Sequence, residues 1–143
     1  IPLRLVGSEM CIRDSAHVAS WIAARVESCQ SLEGAVAFGA MRDGRLVGGI
    51  AFTEFRGRDI RVTVAGEGAW LTRRLLRTAF AYAFQDLRCR RISAMVKHGN
   101  LASRRLVQRL GFRREGQHPG FFEDGDILCS YGLLADECLW LKG

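Results

Sequence analysis

With 143 residues, 48% of them hydrophobic and 25% charged, the chain is long enough to bury one core without staples and too short for two domains of ordinary size. The net charge is +6, and every basic residue except Lys97 and Lys142 is arginine, whose planar fork suits phosphate and is compatible with a polyanionic cofactor or with RNA. No apolar run reaches membrane-spanning length, and the five cysteines lack metal-ligand or Cys-x-x-Cys spacing, which argues against a membrane span, a bound metal and a disulfide framework and for reduced thiols in a cytoplasmic protein.

Residues 1–15 are set aside first. The string from Val6 to Ser15 resembles translated sequencing-adapter sequence and the chain lacks an initiator methionine, so the native N-terminus is expected to be missing and the domain to span 16–143. Alternation of Ile1, Leu3 and Leu5 still allows an edge strand there. From Ala16 to Cys29, Val18, Trp21, Ile22 and Val26 recur at helical spacing behind Asp14 or Ser15 as cap. Ala35 to Met41 reads as a strand, Arg42-Asp43-Gly44-Arg45 as a hairpin turn, and Leu46 to Phe55 as the returning strand. A turn at Arg56-Gly57-Arg58 leads into the alternating stretch Asp59 to Val64. Ala69 to Leu87 is the longest predicted helix, with Leu75, Leu76, Ala79, Phe80, Ala83 and Phe84 on one face and Arg73, Arg74 and Arg77 on the other. Arg91 to Lys97 follows as a strand.

Asn100 then caps a short amphipathic helix whose stripe is Leu101, Leu106, Val107 and Leu110, and Gly111 closes it before an extended stretch from Phe112. Asp124-Gly125-Asp126 turns into a last strand, Ile127 to Leu134, and Asp136 to Leu141 reads as a short helical cap. The order helix, three strands, helix, strand, helix, two strands is α+β, with helices on both faces of one sheet.

The segment Asn100, Ser103, Leu110-Gly111-Phe112 and Glu115-Gly116 resembles the signature of the GNAT superfamily of acetyl-CoA-dependent N-acetyltransferases. The tail Tyr131-Gly132, Glu137-Cys138 and Trp140-Leu141 is similar to small acetyltransferases encoded by phages. The resemblance implies a three-layer acyl-CoA N-acyltransferase fold with a mixed, mostly antiparallel sheet. It implies transfer of acetyl from acetyl-CoA to a primary amine (a protein N-terminus, a lysine or a small amine) by a monomer or homodimer. Two alternatives stand beside it: an inactive GNAT-shaped binding module, and a toxin-like acetyltransferase acting on aminoacyl-tRNA. A nucleic-acid partner is not favoured, but clustering of Arg56, Arg58 and Arg61 beside the substrate groove would support it.

The junction Val64 to Arg73 places a helix N-terminus after a strand, which offers amides and a positive dipole end to phosphate. The family's usual glycine pattern falls on Glu67, Trp70 and Thr72 and is not matched. Two accounts fit: Thr72, Arg73 and Arg74 replace it by a hydroxyl and guanidinium groups, with Trp70 and Leu71 beside them at the cofactor and Glu67 turned away, or cofactor binding has been lost; the first is the one expected. By the resemblance, Val62 and Val64 pair with the cofactor arm and Asn100 and Ser103 serve its mouth. Val107 stands where the family often has an acidic tyrosine, so Tyr131 is the substitute candidate for proton donor. Glu54 is the first choice for general base, Glu67 the second, and His98 has a suitable intrinsic pKa. No cysteine has a sequence neighbour that marks an activated thiolate, which predicts direct transfer without an acyl-enzyme.

Overall fold

The computed structural model describes residues 4–6, 9–26 and 31–142, those up to residue 11 by backbone alone. Eight strands, β1 (Arg4–Val6), β2 (Glu9–Ile12), β3 (Val36–Arg42), β4 (Arg45–Thr53), β5 (Asp59–Gly66), β6 (Arg91–Lys97), β7 (Arg113–His118) and β8 (Leu128–Leu134), form one sheet in the order β1-β2-β3-β4-β5-β6-β8-β7. Only β5 and β6 run parallel. Helix α1 (Ser15–Ala23) lies on one face, and α2 (Arg73–Ala81) and α3 (Leu101–Arg109) lie on the other. This is the expected mixed, mostly antiparallel three-layer fold.

Local chemistry explains most elements. Asp14 caps α1, its Oδ1 accepting from the His17 amide at 3.4 Å, and Asp43 and Gly44 both take positive φ (52° and 77°), the backbone of a tight hairpin turn. The helix predicted to reach Cys29 ends at Ala23, and residues 27–29 lie outside the described ones. Of the suggested edge strand, Ile1 and Leu3 also lie outside, while the backbone of Leu5 belongs to β1. Two facing glycines of β3 and β4, Gly39 and Gly49, let α1 approach the sheet. A Cβ at either would stand within 2.7 Å of Val18. Val18, Ala19 and Ile22 thereby bury against Ala37, Leu46 and Ala51.

Residues 9–15 take part in this layer, although the sequence reading set them aside. Strand β2 pairs with β3, Ile12 is buried in the α1 cluster, and the Ser15 hydroxyl accepts from the Ala37 amide at 3.0 Å. On the opposite face of the sheet, the Arg13 guanidinium lies over the rings of Phe38 and Tyr82, 5.4 and 5.2 Å from their centres.

The longest predicted helix is corrected at both ends. It begins at Arg73, with the Thr72 hydroxyl accepting from the Leu75 amide at 3.1 Å, because Trp70 is drawn down onto the sheet. Gly48 and Gly66 face each other across β4 and β5, and a Cβ on either would meet the indole at 2.1 and 1.8 Å. Trp70 is 5% exposed. After Ala81 the helix widens into a π turn, Tyr82–Asp86. Helix α3 ends as expected at Gly111, φ 102°. The tail forms two 3₁₀ turns, Ala135–Glu137 and Leu139–Leu141, fastened where Trp140 Nε1 donates to the Leu110 carbonyl at 3.0 Å.

Candidate active site

Parallel pairing of β5 with β6 covers Asp59 with Arg91, Ile60 with Ile92 and Arg61 with Ser93, and then stops. Below that point the strands are clamped: Ser93 Oγ donates to Asp59 Oδ1 at 2.6 Å, and Arg91 bridges Asp59 at 3.5 Å and Glu115. Beyond it the strands separate, while β5 stays paired with β4 as far as Gly66. The side of β5 that faces β6 therefore has no strand partner from Val62 onward. Main-chain amides and carbonyls left along a strand edge bind another extended chain readily.

The fork opens a passage through the sheet. Its neck, about 30 Å³, lies between Val62, Val64, Ala94 and Val96 of the strands and, from α3 and its N-cap, Asn100, Ser103 and Val107. It continues past Val26, Val62, Thr63 and Met95, which line both parts, into a cavity of about 130 Å³ that also holds Thr53, Glu54, Arg61, Phe121 and Leu128. Phe121 rides on a loop fixed by Asp126, whose Oδ2 and Oδ1 accept from the amides of Gly99 (2.9 Å) and Ile127 (2.7 Å). Asp124 in the same loop takes the Lys97 ammonium at 2.6 Å. Hydrogen bonds from Ile127 and Gly99 hold the Asp126 carboxyl below the ordinary carboxylate range, and the Lys97 contact, then the Asp126 amide, does the same for Asp124.

Of the sequence-derived candidates, Val62, Val64, Asn100 and Ser103 meet at the neck. Asn100 Oδ1 is engaged in the cap, accepting from the Ser103 amide at 3.1 Å, so its amide nitrogen is the group left for a ligand. Glu54 reaches the cavity through an unusual backbone, φ 54°, that ends β4 and turns its carboxylate to Arg61 at 2.7 Å and Arg56 at 3.5 Å. Of Arg56, Arg58 and Arg61, only Arg61 lines the cavity.

Three candidates stand elsewhere. Glu67 turns to Arg25 at 3.2 Å, which also neutralises the charge that would repel phosphate. His98 approaches Cys129, Nδ1 to Sγ 3.7 Å, and does not line the passage. Tyr131, expected as proton donor, is corrected: it is fully buried, its hydroxyl has no hydrogen-bond partner among the described residues, and it is not among the lining residues. Its position on β8 opposite Ala94 points the ring into the core beneath α3.

At the head of α2, the Trp70 side chain is committed to the core and Leu71 packs against it. What that stretch offers a ligand is its backbone, the Thr72 hydroxyl and the guanidinium groups. Arg73, Arg74, Arg77 and Thr78 share a surface concavity of about 390 Å³, and Arg73 leans on Trp140, 5.9 Å from its ring centre. An open strand edge that leads to an arginine-lined helix N-terminus fits an extended amide arm ending in phosphates, the shape of acetyl-CoA. Thr63, Met95, Phe121 and Leu128 carry no signal in the sequence, and Arg61 is singled out there only as one of a possible basic cluster. The alternation of β5 puts Arg61 and Thr63 on one face, but only the fork makes that face a wall.

The model of an acetyltransferase (GNAT) domain family matches residues 7–113. No curated protein sequence matches the chain. A probable acetyltransferase superposes with a TM-score of 0.67, covering 94% of this chain and 97% of its own at 21% identity. The ribosomal-protein-S5-alanine acetyltransferase from Vibrio fischeri gives 0.70 over 96% and 99% at 15% identity. A spermidine N-acetyltransferase SpeG chimera from Vibrio cholerae and hSSAT gives 0.71 over 95% and 100%, also at 15%. At such identities these likenesses carry the fold alone.

Proposed function

We propose, since this chain belongs to the acetyltransferase (GNAT) domain family, that it transfers acetyl from acetyl-CoA to a primary amine within the passage between β5 and β6. The observation that carries this reading is the continuity of the open β5 edge with a cavity that holds Glu54. Every described lining residue lies after Val26 or at it, which supports 16–143 as the catalytic unit. One chain supplies both halves of the passage, as suits a monomer or homodimer. The described cysteines, Cys89, Cys129 and Cys138, are free thiols, in keeping with a cytoplasmic protein.

Acetyl-CoA supplies an acetyl group already activated as a thioester. On this reading the backbone of Val62 to Val64 takes the amides of the cofactor arm. Asn100 and Ser103 hold it at the neck. The amides heading α2, with Trp70 and Leu71 contributing main chain only, join Thr72, Arg73 and Arg74 in taking the phosphates. Glu54 accepts the ammonium proton through water, and the departing thiolate is protonated by water. On this reading transfer is direct, in keeping with the lack of a lining cysteine among the described residues. Cys129 does have a spatial partner in Arg114 Nη2 at 3.2 Å, but it is fully buried.

The acceptor's general class is a protein N-terminus, a lysine or a small amine. Calorimetric titration with acetyl-CoA, followed by measurement of thiol release with an amine panel, tests the reading. Binding with amine-dependent thiol release is expected, and absence of any acetyl-CoA binding would remove it.

A further inference from the structure

Among the described residues, the charges on the acceptor side of the passage are few. Among the described residues lining that cavity, only Glu54 and Arg61 are charged, and they touch each other at 2.7 Å, with Arg56 on the second carboxylate oxygen at 3.5 Å. Val26, Leu32, Met95, Phe121 and Leu128 make the remaining wall mostly apolar. Phe121 stays 48% exposed. Glu54 holds its place with a left-handed backbone that a non-glycine residue adopts at a cost, and such strain concentrates at working sites.

This arrangement disfavours an acceptor with several positive charges. One carboxylate already shared by two guanidinium groups leaves a second or third ammonium facing like charge. A lone ammonium with an apolar body fares better, but it would have to compete with Arg61 for Glu54. A zwitterion avoids that competition. Its ammonium faces Glu54 while its carboxylate takes the Arg61 fork in the place of a Glu54 oxygen, so that both members of the pair keep an opposite charge.

We propose that the acceptor is a small α-amino acid-like zwitterion with an apolar side chain, read by the Glu54–Arg61 pair and by the wall of Met95, Phe121 and Leu128. The inference rests on the acetyltransferase reading above and names its substrate class. Occupation of Arg61 by the acceptor's carboxylate releases Glu54 to receive the ammonium proton. The nitrogen then forms the new N–C bond, the C–S bond breaks with its electron pair going to sulfur, water protonates the thiolate, and the second nitrogen proton passes to the hydroxide left behind. Recognition and activation of the amine are thus one exchange of ion-pair partners.

The test measures kcat/KM by thiol release from acetyl-CoA with the full chain and four probes: leucine, leucinamide, isoamylamine and spermidine. Leucine should exceed leucinamide and isoamylamine by about tenfold or more, because a site built for a charged hydrogen-bonding group rejects analogues that lack it. Spermidine should be the poorest. Arg61→Gln should bring the ratio of leucine to isoamylamine near one. If that variant does not fold, as judged by circular dichroism, Arg61→Lys should keep the preference for leucine but raise its KM, since the charge remains and the fork is lost. Acetylation of isoamylamine or spermidine with no preference for leucine would overturn the proposal and leave the acetyltransferase reading intact. Failure to bind acetyl-CoA at all would overturn both. If acetyl-CoA binds and no probe is acetylated, calorimetry with leucine on the CoA complex decides: binding supports the proposal and no binding ends it.

Discussion

Glu54 and Tyr131 looked alike as candidates for proton transfer, and their surroundings separate them. Glu54 lines the cavity, so Glu54→Gln should lower turnover by about a hundredfold or more, the usual contribution of a positioned general base, with the fold kept. Tyr131 lies in the core with a hydroxyl that has no hydrogen-bond partner among the described residues. Removing an unsatisfied buried hydroxyl does not weaken a fold, since leaving it unsatisfied already costs about 1–3 kcal/mol. Tyr131→Phe should therefore keep or raise the Tm and change kcat by no more than about twofold. Thermal unfolding and steady-state rates on the two variants check both statements, and a large loss of kcat in Tyr131→Phe would restore the tyrosine to the mechanism. The arginines at the head of α2 separate by position in the same way. Arg73→Glu should weaken acetyl-CoA binding about tenfold, or 1.4 kcal/mol, because it sits in the first turn, where helix-end electrostatics act. Arg77→Glu, one turn on, should do less in the same titration, and equal losses would reduce the contact to general charge.

The segment between β5 and α2 illustrates how an element can be shifted by packing that lies outside it. Periodicity carried the helix back to Ala69, yet the chain stays extended until Thr72, because burying an indole on two facing glycines outweighs one extra helical turn. Trp70→Ala should lose about 3–5 kcal/mol of stability, the range for emptying a large aromatic site. Gly48→Ala should also destabilise, since the added methyl group would overlap the ring. In the Trp70→Ala background the Gly48→Ala effect should nearly vanish, a coupling that a double-mutant cycle in denaturant measures. Additive losses would mean that the glycine serves something other than the indole.

The molecule as a whole divides at the fork, with the α1 layer and strands β1 to β5 on one side and β6, β8 and β7 on the other. Deleting residues 1–14 should lower the Tm, because β2, Ile12 and the Asp14 cap go with them. The folded fraction should bind acetyl-CoA as before, since no lining residue among the described ones is lost; weaker calorimetric binding by folded protein would contradict this. Stability should also show a plateau in pH. Asp124 and Asp126 titrate below the ordinary carboxylate range when folded, so their contribution is present above that range and is lost as pH falls through the folded values. Burial raises the thiols of Cys89 and Cys138, so their contribution is full below the usual thiol pKa of about 8.5 and is lost as pH rises beyond it. Thermal melts from pH 3 to 10 should therefore fall at both ends, and Cys138→Ala should flatten the alkaline end. The sequence by itself determined the elements built by neighbours in the chain: the Asp43-Gly44 hairpin, the Asn100 cap, the Gly111 stop and the alternating strands. It also determined the order that makes the fold. Period and capping act over a few residues, so they can be read along a line. Only the tertiary structure decided where β5 and β6 part, that Glu54 meets Arg61, that Trp70 rests on Gly48 and Gly66, and that His98 and Arg114 converge on Cys129. Those contacts join residues distant in sequence, and their geometry follows from sheet register and side-chain packing, which no local pattern encodes.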